Sequence, residues 1–228
     1  MLIDFAPMRK PVQRILVSDF DGTMTKHDFF DLARRDLPSA ADHDYWQDYV
    51  AGKITHFEAL AGIFGSIRTD WAGIEDVIAR MELDPALQNS VTRLRAAGWE
   101  IIVASAGCDW YIRRLLAQAG VQLEVHANPG VFAPETGLVL SLPVDSPYFR
   151  RETGIDKTAI VRAALARDPQ AVFAGDGRPD LAPAGLVQPS RRFATGWLAQ
   201  HLKKTGESFR PFAAWSQIAD ALLEEKPC

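Results

Sequence analysis

The sequence predicts an α/β protein in which a doubly wound parallel sheet carries a small inserted helical unit. From residue 84 onward, short apolar segments alternate with segments of helical pattern, which is typical of a parallel sheet with right-handed crossovers. Between residues 24 and 81 the pattern is helical and contains no convincing strand. Ligands bind beyond the carboxyl ends of the strands in such sheets, so the strands that end at Asp19, Ser105 and Asp176 are expected to deliver these side chains to one edge.

The first strand is predicted from the apolar run Ile15 to Val17, which is followed directly by "SDFDGT". The helical unit follows directly, with a capping box from Thr55 to Glu58 and Asp70 as a further N-cap. Because this unit is inserted after the first strand, it could cover the carboxyl edge of the sheet as a lid.

The rest of the chain alternates helix and strand. A helix is predicted to begin at Asp84-Pro85 and to stop at Gly98. The segments that follow are strand "WEIIVAS", helix "DWYIRRLLAQAG", strand "VQLEVHA", hairpin "GVFAPETGLVLSL", helix "DKTAIVRAALA" and strand "AVFAG".

Composition limits the class of protein. The chain has 228 residues, of which 47% are hydrophobic, enough for one substantial core and a smaller accessory unit. The formal net charge of −4 argues against nucleic acid or a membrane surface as the main partner and favours a small solute. No apolar run resembles a signal or membrane segment, and Cys108 and Cys228 imply no disulfide framework, so we expect a cytoplasmic protein. The sequence leaves the oligomeric state open.

Acidic residues cluster at two of these strand ends. Asp19 and Asp21 are two residues apart and would point the same way from extended backbone, while "GDGRPD" supplies Asp176 and Asp180. Taken singly, D-x-D-G can be a solvated surface turn, and Asp180 suits the first turn of a helix. Four carboxylates at one edge would repel one another unless a cation compensates, and their hard oxygen atoms suit Mg²⁺.

Two other binding loops are excluded. A calcium EF-hand loop that began at Asp19 would need glycine at its sixth position and glutamate at its twelfth, where the chain has Met24 and Phe30. A Walker A loop would need serine or threonine after the Gly52-Lys53 pair, where the chain has Ile54.

Lys157 and Ser105 are candidate phosphate ligands. Lys157 stands at the start of a predicted helix, where the helix dipole disfavours a cation, although it could also be a solvated surface residue. Ser105, the N–H groups that follow it and Gly107 could cradle a phosphate at a helix N-terminus, or Ser105 could simply be an N-cap.

In chain order, "DFDGT", Ser105, Lys157 and "GDGRPD" resemble the four motifs of the haloacid dehalogenase-like phosphohydrolase superfamily. These motifs span residues 15 to 185, and the helical insert resembles the cap of the phosphoserine-phosphatase-like subgroup. Within it, "SDFDGTMTKHD", "SAGCDWYI", "TGIDKTAIV" and "GDGRPDLAPA" look most like the methionine-salvage phosphatases of 2-hydroxy-3-keto-5-methylthiopentenyl 1-phosphate. The resemblance implies a Rossmann-like core of residues 1–23 and 84–228 and a helical cap of residues 24–83.

The resemblance also implies a role for each matching residue. Asp19 would be the nucleophile that forms an aspartyl-phosphate, and Asp21 would be the general acid and base. Mg²⁺ would be held by Asp19, the backbone carbonyl of Asp21 and Asp176, with Asp180 in support. Phosphate binding is implied at Thr23, Ser105, Ala106, Gly107 and Lys157. Ala106 departs from the Ser-Gly-Gly that is common in phosphoserine phosphatases.

We therefore predict a Mg²⁺-dependent phosphatase for a small phosphorylated metabolite. The alternatives are a phosphoserine phosphatase, a phosphotransferase of the same fold that passes the phosphoryl group to an alcohol, and a catalytically idle binding protein. The last is disfavoured because Asp19, Asp21, Lys157 and Asp176 are all retained.

Asp28 bears on the choice of substrate. It lies nine residues after Asp19. At this position phosphoserine phosphatases resemble one another in carrying a glutamate that contacts the substrate amine. Asp28 could contact the substrate, or it could cap the helix "FFDLARR". If two or more aromatic side chains of the lid face the edge, they would favour a substrate with an apolar tail; the candidates are Phe29, Phe30, Tyr45, Trp46, Phe57 and Phe64.

Overall fold

The computed structural model describes residues 14–41 and 43–225. These residues form the strands β1 (Arg14–Ser18), β2 (Trp99–Cys108), β3 (Glu124–Asn128), β4 (Gly130–Ala133), β5 (Gly137–Leu140), β6 (Phe149–Arg150), β7 (Gly154–Ile155), β8 (Val172–Gly175), β9 (Arg192–Ala194) and β10 (Arg210–Pro211). Six of the strands make one parallel sheet in the order β10-β9-β8-β1-β2-β3. The pairs β4–β5 and β6–β7 are antiparallel hairpins.

The described residues also form the helices α1 (Phe29–Asp36), α2 (Tyr45–Val50), α3 (His56–Gly65), α4 (Trp71–Ala79), α5 (Leu87–Ala96), α6 (Asp109–Gln118), α7 (Lys157–Arg167), α8 (Leu181–Ala184), α9 (Gly196–Thr205) and α10 (Trp215–Leu223). Short 3₁₀ helices span Arg178–Asp180 and Pro189–Arg191. None of the helices in this part of the chain is long and apolar enough to cross a membrane.

Both faces of the sheet are covered by helices. Along β1, Leu16 packs into one core cluster, which includes side chains of α5, α6 and α10. Ile15 and Val17 point the other way, into a second cluster with side chains of α7 and α9, and all three β1 side chains are fully buried. Burial of each such side chain contributes roughly 1.5–3 kcal/mol. The predicted α/β class with a doubly wound parallel sheet is therefore confirmed.

The strand order brings three chain segments to one edge. Strand β1 lies between β2 and β8, with Ser18 opposite Val103 and Ala174. The residues just beyond these pairs reach the carboxyl edge together. The prediction that β2 ends at Ser105 is wrong by three residues, because the strand continues to Cys108 through a register shift against β3.

Helix α5 begins later than predicted. Its first residue is Leu87 rather than Pro85, because the Asp84 carboxylate accepts a hydrogen bond from the backbone of Ala86 at 2.8 Å and closes a turn ahead of the helix. The other Asp84 oxygen accepts from the backbone of Ser216 at 2.7 Å, which ties this turn to α10.

Helices α1 to α4 form the inserted unit between β1 and α5. Each has a side-chain N-cap, including the predicted capping box of Thr55 and Glu58 and the predicted cap by Asp70. The entry and exit segments pair through an isolated bridge between Thr25 and Leu83. The division into a cap of residues 24–83 and a core of residues 1–23 and 84–228 stays a prediction; residues 1–13 and 226–228 of that core, with Cys228, lie outside the described residues.

Candidate active site

A cavity of about 280 Å³ opens between the carboxyl edge of the sheet and helices α1 to α3. Most of the predicted site residues line it: Asp19, Asp21, Asp28, Ser105, Ala106, Gly107, Lys157 and Asp176. The other two, Thr23 and Asp180, are buried beside them and contact residues that line the cavity. The fold thus gathers residues from four separate stretches of chain into one site.

Lys157 is held between two carboxylates. Its Nζ lies 2.8 Å from Asp19 Oδ1 and 2.7 Å from Asp180 Oδ1, and all three side chains are buried. Burial alone would lower the pKa of Lys157, but the charges of Asp180 and Asp19 raise it, so the side chain stays an ammonium. The open alternative of a solvated surface lysine is therefore wrong.

Asp19 follows directly on β1 and is fixed by the backbone around it. Its own N–H donates to the carbonyl of Ala174 in β8 at 2.9 Å, and its Oδ1 accepts from the N–H of Phe20 at 2.7 Å. Burial, and next the negative charge of Asp180, raise the pKa of Asp19, while Lys157 opposes this rise. The Asp19 carboxylate is thus both desolvated and in contact with a cation.

Asp21 has a different environment. Its Oδ1 accepts from the N–H of Phe29 at 3.2 Å, and its Oδ2 accepts from the Tyr111 hydroxyl at 2.9 Å and from Ser105 Oγ at 3.3 Å. Burial raises the pKa of Asp21, and the hydrogen bonds from Phe29 and Tyr111 partly offset this rise. A raised pKa makes it easier for a carboxyl group to hold a proton that it can later release, which suits a general acid and base.

The Asp19 carboxylate lies in a cluster with two further carboxylates. Asp19, Asp176 and Asp180 each offer an oxygen, and these oxygens lie within 4.8 Å of one another. Burial, and next the charge of Asp180, raise the pKa of Asp176 to about 7. Such a cluster of hard oxygen atoms, unfavourably desolvated and mutually repulsive, fits a divalent cation such as Mg²⁺.

Within this cluster both carboxylate oxygens of Asp180 already accept hydrogen bonds. Its Oδ1 accepts from Lys157, and its Oδ2 accepts from the N–H groups of Asp176 at 3.1 Å and Gly177 at 2.9 Å. Asp19 and Asp176 therefore have the freer oxygens, and Asp180 orients the residues around them. Thr23 Oγ1 approaches Asp176 Oδ1 at 3.4 Å and is not part of the cavity wall. Its predicted contact with phosphate stays a prediction.

The glycine of "DFDGT" is required by the backbone. Gly22 has φ of +65°, and a Cβ at this position would lie 2.4 Å from Asp176 Oδ2. The turn after β1 can therefore approach the Asp176 carboxylate closely only because no side chain intervenes.

The segment around Ser105 forms one wall of the cavity. Ser105 Oγ accepts from the N–H of Gly107 at 2.9 Å. A Cβ on Gly107 would lie 2.0 Å from the Tyr111 hydroxyl and 2.8 Å from Asp21 Oδ2, so glycine allows the close approach of these groups. Behind this wall Asn128 Nδ2 donates to the carbonyl of Ala106 at 2.8 Å and fixes the orientation of that peptide.

The opposite wall comes from the inserted helices and is largely aromatic. Phe30, Trp46, Tyr49 and Phe64 line the cavity. Of the aromatic candidates named from the sequence, Phe30, Trp46 and Phe64 are among these residues, whereas Phe29, Tyr45 and Phe57 are not. Phe29 and Phe57 belong to the hydrophobic core, as does Phe64, which also lines the cavity.

Asp28 is the N-cap of α1 and also lies in the wall of the cavity. Its Oδ1 accepts from the N–H of Phe30 at 2.7 Å as the N-cap of α1, and the residue also lines the cavity. Burial, and next the charge of Asp21, raise the pKa of Asp28. Capping is observed, whereas contact with a substrate stays a prediction.

Sequence reasoning missed several residues that the fold brings to the site, among them Tyr111, His56 and Tyr49 in the cavity wall and Asn128 behind it. Asn128 carried a usable signal, since a polar residue at the carboxyl end of a parallel strand faces the ligand edge. Tyr111 and His56 lie on helices whose patterns indicate only ordinary amphipathic segments. Their roles depend on which face of each helix meets the sheet edge.

Comparison with known proteins agrees with this arrangement. A family model described as haloacid dehalogenase-like hydrolase matches residues 16–184. The chain is 24% identical over 212 residues to a 2-hydroxy-3-keto-5-methylthiopentenyl-1-phosphate phosphatase of Geobacillus kaustophilus, covering 92% of this chain and 96% of that protein. It is 23% identical over 178 residues to a protein of the same name from Brevibacillus brevis, covering 76% of this chain and 79% of that protein.

Solved structures show the same fold. A haloacid dehalogenase-family hydrolase of Salmonella enterica serovar Typhi superposes with a TM-score of 0.68 at 20% identity, covering 95% of this chain and 74% of that one. A substrate-bound phosphoserine phosphatase superposes with a TM-score of 0.64 at 15% identity, covering 93% of this chain and 99% of that one.

Proposed function

Because the chain belongs to the haloacid dehalogenase-like hydrolases, we propose that it is a Mg²⁺-dependent phosphatase that hydrolyses a small phosphorylated metabolite through an aspartyl-phosphate. The superfamily resemblance drawn from the four motifs is confirmed by the family match over residues 16–184. For the substrate we propose a phosphoester with an uncharged apolar tail, in the class of 2-hydroxy-3-keto-5-methylthiopentenyl 1-phosphate, the substrate named for the relatives from Geobacillus and Brevibacillus.

One observation carries the proposal: two buried aspartates, two residues apart, have different partners. Asp19 contacts the Lys157 ammonium at 2.8 Å, while Asp21 is held by Tyr111 and Ser105. Two carboxyl groups in unlike environments can divide the roles of nucleophile and acid. A binding protein without activity would have no need of this difference.

In the first step Asp19 attacks phosphorus, and the bond from phosphorus to the ester oxygen breaks. Asp21 gives its proton to the departing alcohol oxygen, while Tyr111 and the N–H of Phe29 hold the carboxyl group in place. Lys157, Ser105 and the N–H groups beside Gly107 would stabilise the negative phosphoryl oxygens.

In the second step Asp21 takes a proton from water, and the water oxygen attacks phosphorus. The bond from phosphorus to the Asp19 oxygen breaks, which releases inorganic phosphate and restores the carboxylate. Mg²⁺, held by Asp19, Asp176 and the backbone carbonyl of Asp21, would supply positive charge against the phosphoryl oxygens and the clustered carboxylates.

Removal of divalent metal is expected to lower the hydrolysis of p-nitrophenyl phosphate at least about tenfold, because the carboxylates of the site would otherwise repel the phosphate dianion. The measurement is the initial rate in EDTA and again after MgCl₂ is added in excess. Recovery with Mg²⁺ supports the assignment, whereas full activity in EDTA would mean that the acidic cluster holds no essential metal.

The proposed substrate class is tested against phosphoserine. We expect kcat/KM for 5-(methylthio)pentyl phosphate to exceed that for phosphoserine at least about tenfold, because Phe30, Trp46, Tyr49 and Phe64 offer an apolar wall. The control is p-nitrophenyl phosphate, which reports the phosphoryl-transfer machinery alone. A higher kcat/KM for phosphoserine would exclude the apolar-tail proposal and favour a phosphoserine phosphatase.

A phosphotransferase of the same fold is tested in the same assay. Glycerol and ethanol are added, and the products are separated into inorganic phosphate and new phosphoesters. Inorganic phosphate as the sole product is the expected result, because the proposed second step uses water.

A further inference from the structure

His56 is a polar residue of the cavity that the proposed mechanism does not use. It occupies the first turn of α3 and lines the cavity. Its Nδ1 is buried and has no hydrogen-bond partner among the described residues. A buried ring nitrogen without a partner destabilises the protein, and a hydrogen bond with a bound ligand would remove this cost.

The position of His56 is well determined by its neighbours. The residue before it, Thr55, is the N-cap of α3 in a capping box with Glu58. The N–H of the residue after it, Phe57, donates to the carbonyl of Glu152 at 2.9 Å, which pins the start of α3 to the segment between β6 and β7. The backbone that carries His56 is therefore held in place beside the cavity.

Aromatic rings flank the imidazole. The ring of Tyr49 lies with its centroid 5.2 Å from that of His56 at an interplanar angle of 73°, and the ring of Trp46 lies at 6.4 Å. These ring contacts give Nδ1 of His56 no polar partner. Because the surroundings are apolar, a ligand that cannot form a hydrogen bond with the imidazole is disfavoured more strongly than it would be in water.

The charge of the imidazole limits what it can bind. Burial, and next the charge of Lys157, lower the pKa of His56 to about 4. The ring is therefore neutral near pH 7, with one N–H donor and one acceptor nitrogen. A neutral ring favours an uncharged hydroxyl or keto oxygen over a carboxylate.

The acidic and basic side chains that line the cavity also disfavour a carboxylate beside His56. Among the described residues that line the cavity, the side chains from α1 to α3 and their caps include the acids Asp28 and Asp31 and no lysine or arginine. The cations of the lining, Lys157 and Arg178, come from the opposite side. A carboxylate on the part of the substrate that meets the helices would thus find acidic side chains and no cation on that side.

We propose that His56 is a specificity-determining residue that forms a hydrogen bond with an uncharged hydroxyl or keto oxygen on the carbon skeleton of the phosphoester. The inference rests on the proposed phosphatase function and assigns a residue to substrate selection. It explains both the unpartnered nitrogen and its place between the aromatic wall and the catalytic edge.

The experiment compares phosphoesters that differ by one oxygen: 2-oxohexyl phosphate and 3-hydroxyhexyl phosphate, each beside hexyl phosphate. In the wild type, kcat/KM for at least one oxygenated ester is expected to exceed that for hexyl phosphate. The His56→Phe variant keeps the aromatic contacts and removes both nitrogens, so this ratio is expected to fall about tenfold. His56→Asn or His56→Gln should restore part of it.

The matched control is His43→Phe. His43 also stands beside an aromatic ring, that of Tyr45, but it does not line the cavity, and its replacement should leave the ratio unchanged. An unchanged ratio in His56→Phe, or an equal fall for all three esters, would overturn the inference.

A binding measurement tests the role of His56 independently of the proposed phosphatase activity. The affinity of 3-oxoheptylphosphonate relative to heptylphosphonate, measured by calorimetry, needs no turnover, because the carbon–phosphorus bond is not hydrolysed. A preference for the oxo compound that is lost in His56→Phe supports the role of His56 even if no ester were turned over. Equal affinities for the two phosphonates in the wild type would contradict it.

Discussion

Asp19→Asn is expected to lower kcat at least about 1000-fold for any phosphoester that the wild type hydrolyses. The amide has nearly the shape of the carboxylate but is a poor nucleophile, so no aspartyl-phosphate can form. The variant should stay folded, because the amide oxygen can still accept from Lys157 and from the N–H of Phe20. The measurement is kcat for p-nitrophenyl phosphate, together with the urea midpoint of unfolding.

The control is Asp145→Asn, which makes the same chemical change at an exposed position outside the cavity. It should keep the activity of the wild type. Acid quench of the wild type during turnover of ³²P-labelled substrate should trap label on the protein, and Asp19→Asn should trap none. Activity of Asp19→Asn near that of the wild type would remove the nucleophile assignment.

Lys157→Met is expected to reduce both stability and activity. The ammonium is the cation that lies 2.8 Å from Asp19 and 2.7 Å from Asp180, and its loss leaves two buried carboxylates uncompensated. Breaking a buried ion pair from one side destabilises a protein by about 3–5 kcal/mol. The measurement is the free energy of unfolding in urea with EDTA present, so that no added cation replaces the ammonium.

Two further variants test whether loss of the ion pair is the cause of the lower stability. Lys203→Met removes a lysine from an exposed position in α9 and should change the stability by less than about 0.5 kcal/mol. Lys157→Met combined with Asp180→Asn removes one of the uncompensated charges and should recover part of the loss. If Lys157→Met were as stable as the wild type, or if the double variant were the less stable of the two, the ion-pair account would be wrong.

Much of the fold could be predicted because its signals are local. The alternation of apolar strands and helical segments indicated the parallel sheet, and the N-caps of α3 and α4 were correct. Element ends were less predictable. Strand β2 runs three residues past Ser105, and α5 begins at Leu87, because a register shift with β3 and a hydrogen bond from Ala86 to Asp84 set those limits.

The sequence named the cavity residues that belong to motifs and three of the aromatic residues, but it gave no indication of Tyr111 or His56. Asp19, Ser105 and Asp176 follow strands or lie near their ends, where any parallel sheet collects its ligands. Tyr111 and His56 lie in helices and meet the cavity because α6 and α3 turn one particular face toward it. Lys157 had an open interpretation until its contacts with Asp19 and Asp180 were known.

The sequence by itself determined the α/β class, the family and the acidic motifs, because hydrophobic periodicity and each motif are local patterns and the order of the motifs is read along the chain. Only the tertiary structure decided which charges meet. Asp21 and Tyr111 are 90 residues apart in the chain, and Lys157 and Asp180 are 23 apart. Burial raises the pKa of Asp21, while burial and next the charge of Lys157 lower that of His56 to about 4, and these effects depend on spatial neighbours and not on chain neighbours.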